Sequence, residues 1–236
     1  MAKEAWIVTG AGGALGSAMV ARLAREGLVI AAGRGVRQEQ LDAEYGAGRA
    51  RAAALDVGSR SEWANVLEGL ESQGITAAGA VLTAGTWRGG QRLHEQADDA
   101  DWGALLDANL ETARASLQAL LPGMVARRKG SVVLVGSTAA VRPWEQAGAA
   151  AYAASKAALL ALSQAVAAEV LADGVRVNVI LPSTIDTPAN RAAMPKADAS
   201  RWVAPASLAE VAAFLLSDAG RDISGAALPV YGRTGV

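Results

Sequence analysis

The chain has 236 residues, 52% of them apolar, with 22 basic against 23 acidic side chains and a formal net charge of −1. That balance excludes an electrostatic binder of nucleic acid, the absence of cysteine excludes disulfides and thiolate metal sites, and a single histidine, His94, excludes a multi-histidine metal cluster. No uncharged apolar stretch approaches the roughly 18 residues of a membrane span, and the first apolar run, 5–8, is too short for a signal-peptide core, so a cytoplasmic protein is expected.

The first predicted strand, 6–9, runs into Thr9-Gly10-Ala11-Gly12-Gly13-Ala14-Leu15-Gly16, which opens a helix at 14–25. Glycines placed between a strand and a helix allow a tight turn and bring backbone N–H groups up to a pyrophosphate at the helix N-terminus. A second strand, 29–32, ends at Gly33-Arg34, with Arg37 close behind and no carboxylate before Glu39. An acidic side chain there would bind a ribose 2′-hydroxyl and repel a 2′-phosphate, whereas Arg34 can fork onto that phosphate, so NADP(H) is favoured over NAD(H). A helix at 39–45 leads to a third strand, 50–55, and to Asp56-Val57. Asp56 either meets the adenine amino group or serves as a turn or capping aspartate.

A helix at 60–73 precedes the fourth strand, 79–83, which is followed by Ala84-Gly85, Trp87 and the polar stretch around His94, read as a solvated loop residue. One long helix is predicted over 100–125; it carries Asn109 and starts near Trp102, which is expected in the core along with Trp6 and Trp63. The fifth strand, 131–136, delivers Ser137, and a helix at 150–172 carries Tyr152 and Lys156. Four residues apart, these two leave the same helix face, where the cation favours the phenolate of a tyrosine whose ordinary pKa is about 10. The sixth strand, 175–181, leads to Pro182, Thr184 and Thr187 and to a proline-punctuated segment at about 184–202 with Met194 and Trp202. A helix at 207–217 and a strand at 227–231 close the chain.

Alternation of strands and helices predicts an α/β fold, a doubly wound parallel seven-stranded sheet with helices on both faces, in a single domain over residues 1–236. The strand runs are continuously apolar, as in strands covered on both faces. Ligands in such folds sit outside the strand C-termini, so Trp87, Trp144 and Trp202 either line a substrate pocket or pack in the core.

The glycine loop, Asp56-Val57, Ala84-Gly85, Asn109, Ser137, Tyr152-x-x-x-Lys156 and Pro182 through Thr187, in that order, resemble the short-chain dehydrogenases/reductases over essentially the whole chain. The resemblance implies a tetrad. Tyr152 acts as acid/base on the substrate oxygen, Lys156 lowers its pKa and holds the nicotinamide ribose, Ser137 bonds the same substrate oxygen, and Asn109 holds a water that links Lys156 to solvent. It also implies cofactor contacts from Gly10, Gly12, Gly13, Leu15, Gly16, Arg34, Asp56, Val57, Ala84, Gly85, Tyr152, Lys156, Pro182, Thr184 and Thr187. Ser137, Trp87, Trp144, Met194 and Trp202 then meet the substrate, a small carbonyl or alcohol, and no metal takes part. A homodimer or homotetramer is implied as well.

Three departures stand out. The loop has Ala14 where compact members have glycine, Thr83 stands where asparagine is usual, and the stretch from Ser137 to Tyr152 is longer than usual, with Thr138 as a second hydroxyl. The segment 184–202, read as a substrate lid, is similar to that of dihydropteridine reductases, which however prefer NADH and lack the serine. Two other readings therefore stand beside a carbonyl reductase: a dihydropteridine reductase-like enzyme, and a catalytically silent NADP(H)-binding sensor or scaffold.

Overall fold

The structure is a computed structural model and describes residues 3–234. Seven strands form one sheet: β1 (Lys3–Thr9), β2 (Leu28–Ala32), β3 (Ala50–Ala53), β4 (Ile75–Leu82), β5 (Gly130–Val135), β6 (Val175–Pro182) and β7 (Ala227–Val230). Their order is β3-β2-β1-β4-β5-β6-β7, and every neighbouring pair is parallel. The chain builds outward from β1 in one direction as far as β3, then returns to start again at β4. The crevice between the C-terminal ends of β1 and β4 is therefore the topological switch point, where doubly wound folds bind ligands.

Because successive strand residues point to opposite faces, each strand feeds two cores. Ile7, Ile30, Ala80, Leu82, Val132, Leu134 and Val179 belong to one, with Trp63 at its heart. Val8, Val29, Ala31, Val81, Val133 and Ile180 belong to the other. Helices α3 (Arg60–Glu71), α5 (Thr112–Ala126) and α6 (Ala150–Val170) cover the first face; α1 (Ala14–Leu23), α2 (Gln38–Tyr45) and α8 (Pro205–Leu216) cover the second. Trp63 is fully buried and Trp6 is half-buried against the second core, as expected.

The helix predicted over 100–125 is broken. It consists of α4 (Ala100–Leu106), a π-helical turn at Asp107–Glu111 and then α5. Each residue of an α-helix turns about 100°, so in an unbroken helix Trp102 would share the buried face of Ala113 and Leu117. The extra residue of the π-turn rotates α4 by about one residue, bringing Leu105 inward and Trp102 outward. Leu105 is 1% exposed and Trp102 is 40% exposed, so the expectation of a core Trp102 is corrected. The remaining helix, α7 (Pro188–Ala193), lies between β6 and α8.

By length and composition alone, Ala150–Asp173 is the one helical stretch among the described residues apolar enough to cross a membrane. Here it packs on β6 and on the turn at Thr138–Ala140, and its polar residues serve the site described next.

Candidate active site

The glycine loop leaves β1 at Thr9 with Gly10 at φ 63°, a left-handed conformation that suits glycine. Gly13 caps α1 without a side-chain hydrogen bond, and no acidic residue stands in the first helical turn. The open N–H groups of that turn make a ready anion site. A Cβ on Gly16 would run into the Gly10 carbonyl, so α1 approaches the loop this closely only because Gly16 has none. A Cβ on Gly12 would meet nothing within 4 Å, which leaves the outer side of the turn clear. Uncapped donors, a clear approach and a tight turn fit a dinucleotide pyrophosphate.

Thr83, where asparagine is usual, ties this loop to β4. Its Oγ1 donates to the Thr9 carbonyl at 2.6 Å, while its own N–H donates to Thr9 Oγ1 at 3.1 Å. Two hydroxyls thus stitch the switch point closed at its base. Arg34 and Arg37 lie exposed beyond β2, and their side chains make no hydrogen bond or ion pair among the described residues. Asp56 is a turn aspartate in this structure, its Oδ1 accepting from Gly58 N–H at 2.9 Å, and Oδ2 has no partner among the described residues. The neighbouring Val57 is buried and its carbonyl accepts from the Trp63 indole at 2.9 Å.

Tyr152 and Lys156 sit on the first two turns of α6, and Ser137 follows β5. The fold brings all three together. The Tyr152 hydroxyl is hydrogen-bonded to Ser137, whose Oγ also accepts from Ala139 N–H at 3.1 Å. Burial pushes the Tyr152 phenol above its usual pKa, and the bond to Ser137 pulls the other way. Lys156 adds nothing to that balance while its Nζ is turned away from the phenol. The Lys156 Nζ donates instead to the Val135 carbonyl at 3.1 Å, and burial, with no ionic partner among the described residues to offset it, brings its pKa down to about 8.

Asn109 occupies the π-turn and is wholly buried. Its Oδ1 accepts from Thr86 N–H at 2.8 Å, and its Nδ2 donates to Ser155 Oγ at 3.0 Å. Gly85 allows this closeness, since a Cβ there would stand 2.7 Å from Asn109 Oδ1 and 3.5 Å from Lys156 Nζ. Ser155 and the Val135 carbonyl were not singled out from the sequence. Ser155 was open to detection, because a helical serine readily bonds the carbonyl three or four residues back.

The tryptophans separate. Trp87, 59% exposed, stands beside Gly89 and Ala149, at the entry to the helix that carries Tyr152. Trp144, 75% exposed, borders a groove of about 520 Å³ lined also by Pro143, Ala150, Ala153, Ala154 and Ala157. At about 100° per residue those alanines centre on the flank of α6 opposite Tyr152 and Lys156. Trp144 is thus set apart from Tyr152 by the helix itself.

Beyond Pro182, the end of β6, Thr184 and Val203 are joined by a 2.9 Å backbone bond, and Asp186 N–H donates to Val203 O at 2.8 Å. These bonds close the base of the segment 184–202. Inside it, Thr187 caps α7, Asp186 pairs with Arg191 at 2.8 Å, Met194 is 39% exposed and Trp202 is half-buried. The Thr184 hydroxyl has no hydrogen-bond partner among the described residues. His94 is exposed, as expected of a loop residue.

Residues 4–198 match the short chain dehydrogenase family. A 3-oxoacyl-[acyl-carrier-protein] reductase of Thermotoga maritima is 28% identical, the match covering 96% of this chain and 95% of that protein. A solved oxidoreductase of the short chain dehydrogenase/reductase family from Burkholderia thailandensis is 34% identical with a TM-score of 0.84, over 98% of this chain and 92% of the other. A 3-oxoacyl-[acyl-carrier protein] reductase from Brucella melitensis, solved with bound NAD, is 27% identical with a TM-score of 0.83, again over 98% and 92%.

Proposed function

The chain belongs to the short-chain dehydrogenase/reductase family, and we propose that it is an NADP(H)-dependent oxidoreductase of a small organic carbonyl or secondary alcohol, with Tyr152 as acid/base. The observation that carries this reading is the Ser137–Tyr152 hydrogen bond, with buried Lys156 one turn along the same helix. The same bond weighs against a pteridine reductase, whose branch lacks the serine.

The bound nicotinamide supplies the hydride. Gly10, Gly12, Gly13, Leu15 and Gly16 would hold the pyrophosphate at the start of α1. Asp56 with Val57, Ala84 with Gly85, and Pro182, Thr184 and Thr187 would border the rest of the cofactor. Lys156 would hold the ribose. Ser137 and Tyr152 fix the substrate oxygen between two hydroxyls. When the carbonyl carbon gains the hydride, its π pair moves onto oxygen, and Tyr152 gives that oxygen its proton. Burial favours the protonated phenol, so the donor is charged with its proton before reaction. The Lys156 ammonium favours the phenolate that remains, and solvent returns the proton.

NADP(H) is favoured because Arg34 and Arg37 are unpaired where a carboxylate would have to stand to select NAD(H). The Brucella protein holds NAD, so the preference rests on this chain's own arginines. The substrate named for the Thermotoga protein makes 3-oxoacyl thioesters the first carbonyls to try, beside simple ketones. Trp87, Met194 and Trp202 are the apolar residues we assign to the substrate, with Trp144 further out. A cytoplasmic location and a homodimer or homotetramer belong to this reading; the open alanine flank of α6 supports the assembly.

Tyr152→Phe tests the proposal. It keeps the ring and removes only the proton, so turnover should fall by at least about 10²-fold while NADPH binding, read by fluorescence, is unchanged. Near-normal turnover in this variant would remove Tyr152 from the role.

A further inference from the structure

Four groups form one directional hydrogen-bond chain beneath the site. Thr86 N–H donates to Asn109 Oδ1 at 2.8 Å, Asn109 Nδ2 donates to Ser155 Oγ at 3.0 Å, and Ser155 Oγ donates to the Tyr152 carbonyl at 2.8 Å. Asn109 and Ser155 are both 0% exposed, so neither exchanges a partner for water. A serine hydroxyl has one proton. Because that proton goes to Tyr152, Ser155 presents only lone pairs to Asn109, and the amide must offer its NH₂. The oxygen end then faces Thr86 N–H and the space above Gly85, which Lys156 Nζ also borders. Turning the amide over would set NH₂ against N–H and oxygen against lone pairs, two repulsions in a dry site.

We propose that Ser155 is a positioning residue: its hydroxyl fixes the orientation of the Asn109 amide, so that the carbonyl end lies toward Lys156, and anchors that arrangement to the turn of α6 bearing Tyr152. This rests on the function proposed above. The groups facing Lys156 are Tyr152 on its own helix, Asn109 on the π-turn, Gly85 after β4 and the Val135 carbonyl of β5. None is a carboxylate. The negative end of the Asn109 amide dipole therefore adds to the Val135 carbonyl in favouring the ammonium form. Without Ser155 one of the two repulsions is gone, the amide turns over more readily against the single hold of Thr86 N–H, and its positive end then disfavours that form.

The test uses Ser155→Ala, Asn109→Ala and the double variant. Alanine suits a helix, so Ser155→Ala should fold. We expect kcat to fall by about tenfold in Ser155→Ala, less than the roughly 10²-fold of a 1 Å misplacement, with NADPH affinity unchanged. The pH limb set by Lys156 should move to lower pH. The double variant should be no slower than Asn109→Ala, because Ser155 acts through Asn109. Additive losses, or a Ser155→Ala enzyme with normal kcat and pH profile, would overturn the inference. One readout needs no turnover: the Asn109 side-chain amide protons should exchange slowly in the wild type and rapidly in Ser155→Ala. Equal protection overturns the proposal even if Asn109→Ala does not fold. A wild type inert toward every carbonyl would instead sink the proposed function, while the amide signal still decides this point.

Discussion

Lys156 offers a test that needs neither substrate nor cofactor. Its Nζ is buried, bonded to the Val135 carbonyl, and its pKa is brought down to about 8. In the unfolded chain a lysine titrates near 10.4. Between those values the unfolded chain holds a proton that the folded protein has released, so raising the pH favours folding across that window. From pH 7 to 10 the gain is about 2–3 kcal/mol for a group buried this fully. Above about pH 10 the raised Tyr152 phenol acts in the opposite sense, since the unfolded phenol ionises first, and the comparison therefore stops there. Lys156→Met keeps an unbranched side chain, one atom shorter, and removes its titration. Urea unfolding of both proteins, free of cofactor, at pH 7, 8, 9 and 10 gives two stability curves. Loss of the Val135 bond shifts the variant's curve by a constant, so the slope carries the information. The wild type should gain on the variant as pH rises. Parallel curves would mean that Lys156 is not desolvated as its surroundings imply.

The other predictions concern the cofactor and the lid. Arg34→Ala should weaken NADPH by about ten- to a hundredfold, the worth of a charge-assisted contact of roughly 1.5–3 kcal/mol, and leave NADH nearly unchanged. Arg37 softens the effect if it shares the phosphate; equal weakening of both cofactors, or a wild-type preference for NADH, refutes the assignment. Hydrogen exchange over residues 184–202 should show protection that appears only with NADP⁺ and substrate, outside the Thr184–Val203 tie already present without them. Identical protection in both states argues for a fixed segment.

Most of the fold could be read because local chemistry and global architecture agree. The seven apolar runs are strands, and the turn at Gly10 through Gly16 needs glycine for a reason visible in three-letter code. The break at Asn109 was out of reach. Residues 100–126 keep a continuous helical pattern, and the π-turn answers to partners far along the chain: Thr86 and Ser155 take the two ends of the Asn109 amide. Trp102 was misplaced for that reason alone. Its phase is correct for a helix that the buried amide does not permit.

The site divides along the same line. Residue types and spacing suffice to bring Tyr152 and Lys156 onto one face, because that relation lies within a single helix. The direction of a hydrogen bond does not follow from spacing. Lys156 is one turn from Tyr152, yet its ammonium turns to a carbonyl at the end of β5, while the phenol turns to Ser137 from the loop beyond that strand. Both bonds run from α6 to β5 and its continuation, so the distance between the Tyr152 hydroxyl and the Lys156 ammonium is set by how α6 packs on the sheet. The substitution of threonine at position 83 fits the same logic. An asparagine and a threonine differ in shape, but either can supply a donor to the Thr9 carbonyl. What the switch point requires there is a polar tie between β1 and β4, and Thr83 makes it from both its side chain and its backbone. A change at 83 that removes the hydroxyl would therefore loosen the glycine loop first and, on the function proposed above, reach Tyr152 only through a cofactor held there.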